Sequence, residues 1–234
     1  MRHCKKNQID DCKSCIIAKR CIVSRILQED IEHNFLDIVS EVYHAYETIP
    51  LDNIIEENVA IVRTGAIISN YKNFNKEITL CDLYFPGDII GFLPKVDDYS
   101  TIELNSIETS SLCFFKKDLL ESHEKIYIDC LKKILAYFSE NNLYKKKLLF
   151  QRNPEKRVAM FLLTIIEKKN LNSFDNIQFK INLTRMQMGL YLGIAEETVV
   201  RALRYLCLLE LLEVKGKNFI IPQYKKLSAF YRCD

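Results

Sequence analysis

The stretch Leu183–Pro222, LTRMQMGLYLGIAEETVVRALRYLCLLELLEVKGKNFIIP, decides the fold of the last third of the chain. Thr184 and Gln187 have the T-x-x-Q spacing of a capping box, in which a hydroxyl and an amide each satisfy a free backbone N–H where a helix begins. Gly189 permits close approach of a second helix, Gly193 makes the turn, and Glu196–Leu206 carries that helix. Lys215-Gly216-Lys217 then separates two short apolar runs, as the tip of a two-stranded wing does. Asn153-Pro154 ends the preceding helix and PEKRVAMFLLTIIEKKN starts the next, because proline has no N–H and restrains its neighbour. These elements form one module, residues 152–234.

Before it, residues 123–151 contain a helical segment without Gly or Pro. Ile128, Leu131, Leu135, Phe138, Asn142, Lys145 and Leu149 step by alternate threes and fours, the spacing of a two-stranded coiled coil. That predicts a homodimer along this stripe. Asn142 and Lys145 interrupt the seam, and lysines meeting across a symmetric interface repel, which makes the pairing marginal. A second stripe, Tyr127, Cys130, Ile134, Tyr137, Asn141, Tyr144 and Leu148, can pack on the domain that precedes the helix.

Residues 26–122 precede the helix. ILQEDIEHNFLDIVSEVYHAYE, residues 26–47, predicts a short helix. From about 49 to 115 the pattern is short runs rich in Ile, Val, Phe and Tyr, punctuated by Gly65, Pro86-Gly87-Asp88 and Gly91, which predicts an antiparallel β-roll. The fold class is α+β.

Residues 1–25 form an arm with Cys12, Cys15 and Cys21 in DCKSCIIAKRC. C-x2-C turns two sulfurs onto one centre, and five more residues bring round a third. Neither the second C-x2-C of a zinc ribbon nor the immediate fourth cysteine of a bacterial ferredoxin follows, so a closing ligand must be distant. An iron–sulfur cluster, zinc, or thiols that only form disulfides all fit this spacing.

Nine cysteines spread through 234 residues argue against a secreted disulfide framework. No apolar run approaches a membrane span, and a cytoplasmic location is expected. Lys and Arg against Asp and Glu number 7 to 2 in residues 1–25, 6 to 18 in 26–122, 6 to 3 in 123–151 and 14 to 8 in 152–234. Only the last, basic third is suited to a polyanion. The four histidines, 3, 33, 44 and 123, are scattered, and no catalytic motif appears, so no enzyme activity is expected.

RTGAIISNY, YFPGDIIGF and SIETSSLCFF, with the cysteine arm before them and the winged module after, resemble the cAMP receptor protein superfamily in its fumarate–nitrate reduction regulator (FNR) branch. The resemblance runs from about Cys12 to the C-terminus. It implies a β-roll like that of cyclic-nucleotide-binding domains, a dimerisation helix and a winged helix-turn-helix. It also implies that Cys12, Cys15, Cys21 and Cys113 hold a [4Fe-4S] cluster that senses oxygen, redox state or nitric oxide. No cAMP is expected: Gly91-Phe92-Leu93-Pro94 lacks the acidic residue of cyclic-nucleotide binders, and no Arg lies between Arg63 and Arg152 to clasp a phosphate. Arg20 before the third cysteine and Ile16 after the second depart from the branch. The first could offset cluster charge and the second slow oxidant access.

In the second helix of the winged module, Glu197 can accept from cytosine N4 and Arg201 can donate twice to guanine, together reading one G·C pair of double-stranded DNA. Val200 stands where the branch has Ser and suits a thymine methyl, so a TTGAT-like palindrome with an altered neighbour to the G is expected. Ala195 replaces the usual Ser or Thr cap at a cost of about 1 kcal/mol. Arg185, Arg204, Lys215 and Lys217 are the expected phosphate contacts. The resemblance further implies contact with RNA polymerase through roll loops, such as that around Asn75 to Cys81.

Overall fold

Val59, Ala60, Ile61 and Val62 are consecutive and all but completely buried. Successive side chains of a strand point to opposite faces, so a run like this needs cover on both sides. The computed structural model, which describes residues 12, 14–21, 23–24, 38–51, 54, 58–72, 78–91, 102–116, 124–169, 171 and 175–232, shows what supplies it. The chain divides into two units, Met1–Glu140 and Asn141–Asp234, with the division inside a long helix.

Among the described residues the first unit holds eight strands: β1 (Val39–Tyr43), β2 (Thr48–Ile49), β3 (Asn58–Thr64), β4 (Ile67–Lys72), β5 (Ile78–Tyr84), β6 (Ile89–Ile90), β7 (Ile102–Ser106) and β8 (Ser110–Lys116). They make two four-stranded sheets, ordered β1-β8-β3-β6 and β2-β7-β4-β5, with every pairing antiparallel. Ala60 and Val62 of β3 and Leu112 and Phe114 of β8 join Ile49, Ile67 and Leu104 in the roll interior. The alternate residues, Val59, Ile61 and Phe115, face outward into a second cluster with Ile17, Cys21 and Val23 of the arm and Ile134 of the long helix. The expected roll is therefore present, and its first sheet is covered on both faces.

Gly65, with φ +83°, turns the chain from β3 to β4, and a Cβ there would collide with Ser110, whose Cα would lie 2.6 Å away. The short helix expected over residues 26–47 is not what forms at its end. Residues 39–43 are β1, paired along its length with β8, and residues 26–37 lie outside the described residues. Sheet pairing decided the matter over a mixed helical spacing.

Helix α1 (Glu124–Phe150) packs on the roll, as one of its stripes predicts. Ile134 is buried in the outer cluster with Tyr137 and Phe138 packed on it, and the Tyr137 hydroxyl accepts from the Ile89 N–H at 3.2 Å. On the other stripe Ile128, Leu135 and Leu149 are exposed, as is Asn142, while Leu131, Phe138 and Lys145 are half-buried. The side chains of Tyr127 and Cys130 lie outside the described residues.

The second unit contains α2 (Pro154–Lys168), β9 (Ile177–Lys180), α3 (Arg185–Leu192), α4 (Glu196–Leu208), β10 (Glu213–Lys215), β11 (Asn218–Ile221) and α5 (Tyr224–Arg232). The expected wing gains a third strand, with order β10-β11-β9. The capping box is complete: Thr184 N–H donates to Gln187 Oε1 at 2.9 Å and Gln187 N–H to Thr184 Oγ1 at 3.0 Å. Gly189 lies so close to the next turn that a Cβ would stand 2.6 Å from the Ile194 carbonyl.

Arg157 of α2 joins three chain segments of this unit. Its Nε donates to Gln151 O (2.9 Å), Nη1 to Leu192 O (2.9 Å) and Nη2 to Leu149 O (3.0 Å) and Gln151 O (2.6 Å). These are carbonyls at or just past the C-termini of α1 and α3, which a helix leaves without partners of its own. Arg157→Ala is expected to lower the stability of this unit by about 2 kcal/mol, and Arg157→Lys to recover little of it because an ammonium lacks the planar fork. Urea denaturation checks both.

Candidate functional site

The arm reaches the outer face of the first sheet. Backbone bonds from Cys15 to Cys12 O (3.4 Å), Ala18 to Cys15 O (2.9 Å) and Cys21 to Ile17 O (2.8 Å) wind residues 12–21 into consecutive turns. Ile17 and Val23 anchor those turns in the apolar cluster, while Ile16 is 84 % exposed. Cys21 is buried in that cluster, and Cys12, Cys15 and Cys113 pack against it. The three arm cysteines and the β8 cysteine thus share one neighbourhood, all as free thiols. Among the described residues no three of His, Cys, Asp and Glu are set to hold a metal ion, so the thiols share a locus rather than a closed coordination shell.

Burial, and then the neighbouring Cys21, Cys113 and Cys15, push Cys12 up to about 12, with Arg63 pulling it down. Burial likewise pushes Cys113 up to about 11, opposed by Arg63 and by a hydrogen bond from Ser40. Ser40 is the Cα partner of Cys113 across the β1–β8 ladder. Arg63 and Ser40 were not singled out from sequence. The signal for Arg63 was its parity with Val59 and Ile61, and Ser40 could be found only once β1 was known to pair with β8. Arg20, expected beside the thiols, is exposed, with its stem over the Gly87 turn. Cys4, Cys81 and Cys233 offer nothing to compare, their side chains lying outside the described residues.

The other candidate surface is α4. Val199, Ala202, Leu203 and Leu206 bury its inner face. Glu197, Arg201 and Arg204 are exposed and Val200 is half-buried on the outer face, so the residues assigned to base reading share one stripe. Arg201 Nη2 donates to Thr198 Oγ1 at 3.1 Å, which makes Thr198, one turn back, its orienting partner. Ala195 starts the helix with no side-chain cap bond.

The four phosphate candidates differ. Arg204 and Lys215 are exposed and Lys217 half-buried. Arg185 is spent largely within the protein: its Nη2 donates to Gly216 O at 3.0 Å, its Nη1 meets Met188 Sδ at 3.4 Å, and its guanidinium lies 5.1 Å from the Phe219 ring centroid. It ties the first turn of α3 to the wing.

The raised thiols give the metal-free protein a pH dependence. The unfolded chain sheds these protons at lower pH than the folded protein, so stability that is full at neutral pH is lost as pH rises above about 9 and through about 11 to 12. Tyr43 and Tyr144, raised chiefly by burial, add in the same direction. Denaturation midpoints at roughly pH 8 and pH 10 are expected to fall, and to fall less in Cys12→Ser/Cys113→Ser.

Residues 156–230 match the Crp-like helix-turn-helix domain family. An anaerobic regulatory protein of Aggregatibacter actinomycetemcomitans is 24 % identical over 237 residues, covering 92 % of this chain and 86 % of that one. The fumarate and nitrate reduction regulatory protein of Vibrio cholerae is 25 % identical over 223 residues, covering 92 % and 88 %. Among solved structures, FixK2 from Bradyrhizobium japonicum superposes with a TM-score of 0.67 at 23 % identity, over 84 % of this chain and 98 % of that one. A helix-turn-helix of this family, a roll of this topology and relatives matched over most of their length lead to one statement: residues 156–230 are a Crp-like helix-turn-helix domain, and nearly the whole chain is similar to transcription regulators of the FNR branch of the CRP/FNR superfamily.

Proposed function

We propose that this regulator is switched by a [4Fe-4S] cluster held by Cys12, Cys15, Cys21 and Cys113. The observation that carries the reading is the shared cluster in which all four cysteines pack with Ile134, Tyr137 and Phe138 of α1. Thiolates are the donors iron–sulfur clusters take, and a half-buried, mainly apolar setting limits solvent access. When bound, the cluster would supply a centre whose state changes with oxygen, nitric oxide or electron supply.

The protein's own residues do the rest. Ile17, Cys21 and Val23 hold the arm on the sheet, and the same cluster grips α1. Ligation that fixes the arm therefore also stiffens the helix. Ile128, Leu135, Asn142 and Leu149, exposed at seven-residue intervals, with Leu131, Phe138 and Lys145 beside them, are the surface for a second copy. Binding energy at the thiols that favours the paired form shifts the monomer–dimer balance.

Two α4 helices so paired would present Glu197, Val200 and Arg201 to the half-sites of a TTGAT-like palindrome, with Arg204, Lys215 and Lys217 on phosphates and Arg185 holding the wing that carries two of them. The same reading places the protein in the cytoplasm, without cAMP or enzyme activity. It also has the protein meeting RNA polymerase through roll loops; residues 73–77 of the expected loop lie outside the described residues. No helix among the described residues is long and apolar enough to cross a membrane.

Anaerobically purified protein is expected to be coloured, with iron and sulfide in equal amounts, and Cys113→Ala to lose both together with any metal-dependent gain in dimerisation by sedimentation. A colourless preparation with stoichiometric zinc, or one that responds only to thiol oxidation, would favour the zinc or disulfide alternative. For DNA, Arg201→Ala is expected to cost about 1–3 kcal/mol and to relax choice at the G·C pair. Arg204→Ala should weaken all sequences alike and flatten the salt slope by about one unit. Fluorescence anisotropy across a salt series separates the two.

A further inference from the structure

Arg63 sits where a bulge in β3 meets the thiols. Ile61 is opposite Cys113 and Val62 opposite Leu112, after which the register slips so that Thr64 faces Ser111. Arg63 is left as the residue without a ladder partner. Bulges of this kind re-aim a side chain. Its parity is that of Val59 and Ile61, which face the arm, whereas Ala60 and Val62 face the roll interior. It is half-buried and follows by two positions Ile61, the ladder partner of Cys113, on the face where the arm thiols pack. A half-buried cation is costly unless an anion faces it, and four ligated cysteine sulfurs bring more negative charge than an iron–sulfide core offsets.

We propose that Arg63 is a positioning charge for the thiol centre, fixed by the β3 bulge so that it offsets the negative charge of the four ligated sulfurs. It thereby aids retention of the cluster and raises its reduction potential. This rests on the cluster reading above. The lever is general, since net charge around an iron–sulfur site is one of the quantities that set its potential. A fixed cation stabilises whichever state carries the extra electron.

The experiment compares wild type, R63K and R63Q after anaerobic reconstitution with iron and sulfide, reading iron content, reduction potential by dithionite titration, and thermal unfolding of each metal-free form. The expected result is a lower potential for R63Q than for wild type, with R63K nearer wild type and all metal-free forms unfolding alike. Cluster assembly in wild type and R63K but not in R63Q, again with matched unfolding, supports the same role. Equal iron content and equal potential in wild type and R63Q would overturn the role of Arg63 and leave the cluster reading standing. A wild type that takes up no iron would overturn both. Should R63Q not fold, R63M, which keeps an unbranched uncharged stem, carries the same comparison.

Discussion

Everything in the first unit depends on the β3–β8 pairing and on the fact that both faces of that pair are apolar. One face closes the roll. The other would be an exposed patch of Val59, Ile61 and Phe115 if nothing lay on it, and water would leave it poorly solvated. The arm and α1 cover it together. A segment that carries three cysteines is thereby held beside a strand that carries the fourth, by packing that requires no metal. Sheet cover and the gathering of the four thiols are the same contact.

The order of events follows from that economy. Because the arm docks through Ile17, Cys21 and Val23, the thiols are gathered by packing alone, and a ligand taken up there would lose less entropy on binding. Burial works the other way, holding Cys12 and Cys113 in their protonated forms. Arg63 and Ser40 oppose that tendency from the sheet side. An apolar bed with a few polar groups at its edge meets two opposed demands, since a wholly apolar pocket would disfavour thiolates and a wholly polar one would not seat the arm.

Sequence made the winged module nearly transparent, because its instructions are local. A capping box between Thr184 and Gln187, a left-handed turn at Gly193 and the Lys215-Gly216-Lys217 tip each act within a few residues. The roll was legible as a class from its turn residues, but residues 39–43 were not legible as a strand. Their helical spacing is genuine, and only the partner strand some seventy residues away decides the outcome. The fourth cysteine was a matter of family likeness rather than spacing, since C-x2-C-x5-C says nothing about a residue on β8. Arg185 shows the same limit on the DNA side: its charge suggested a phosphate, whereas a neighbouring ring and a wing carbonyl, brought near only by folding, occupy its guanidinium.

The fan of bonds from Arg157 bears on where this molecule can bend. Only Gln151, Arg152 and Asn153 separate α1 from α2, and a three-residue connection before a proline invites description as a swivel. Yet the Gln151 carbonyl is held twice by one guanidinium, the same group that clasps Leu149, and Asn153 caps the following helix. The final turns of α1 travel with the reading head as one rigid piece. The three-residue connection is thus a clasp rather than a joint, and the end of α1 belongs to the same unit as the winged module.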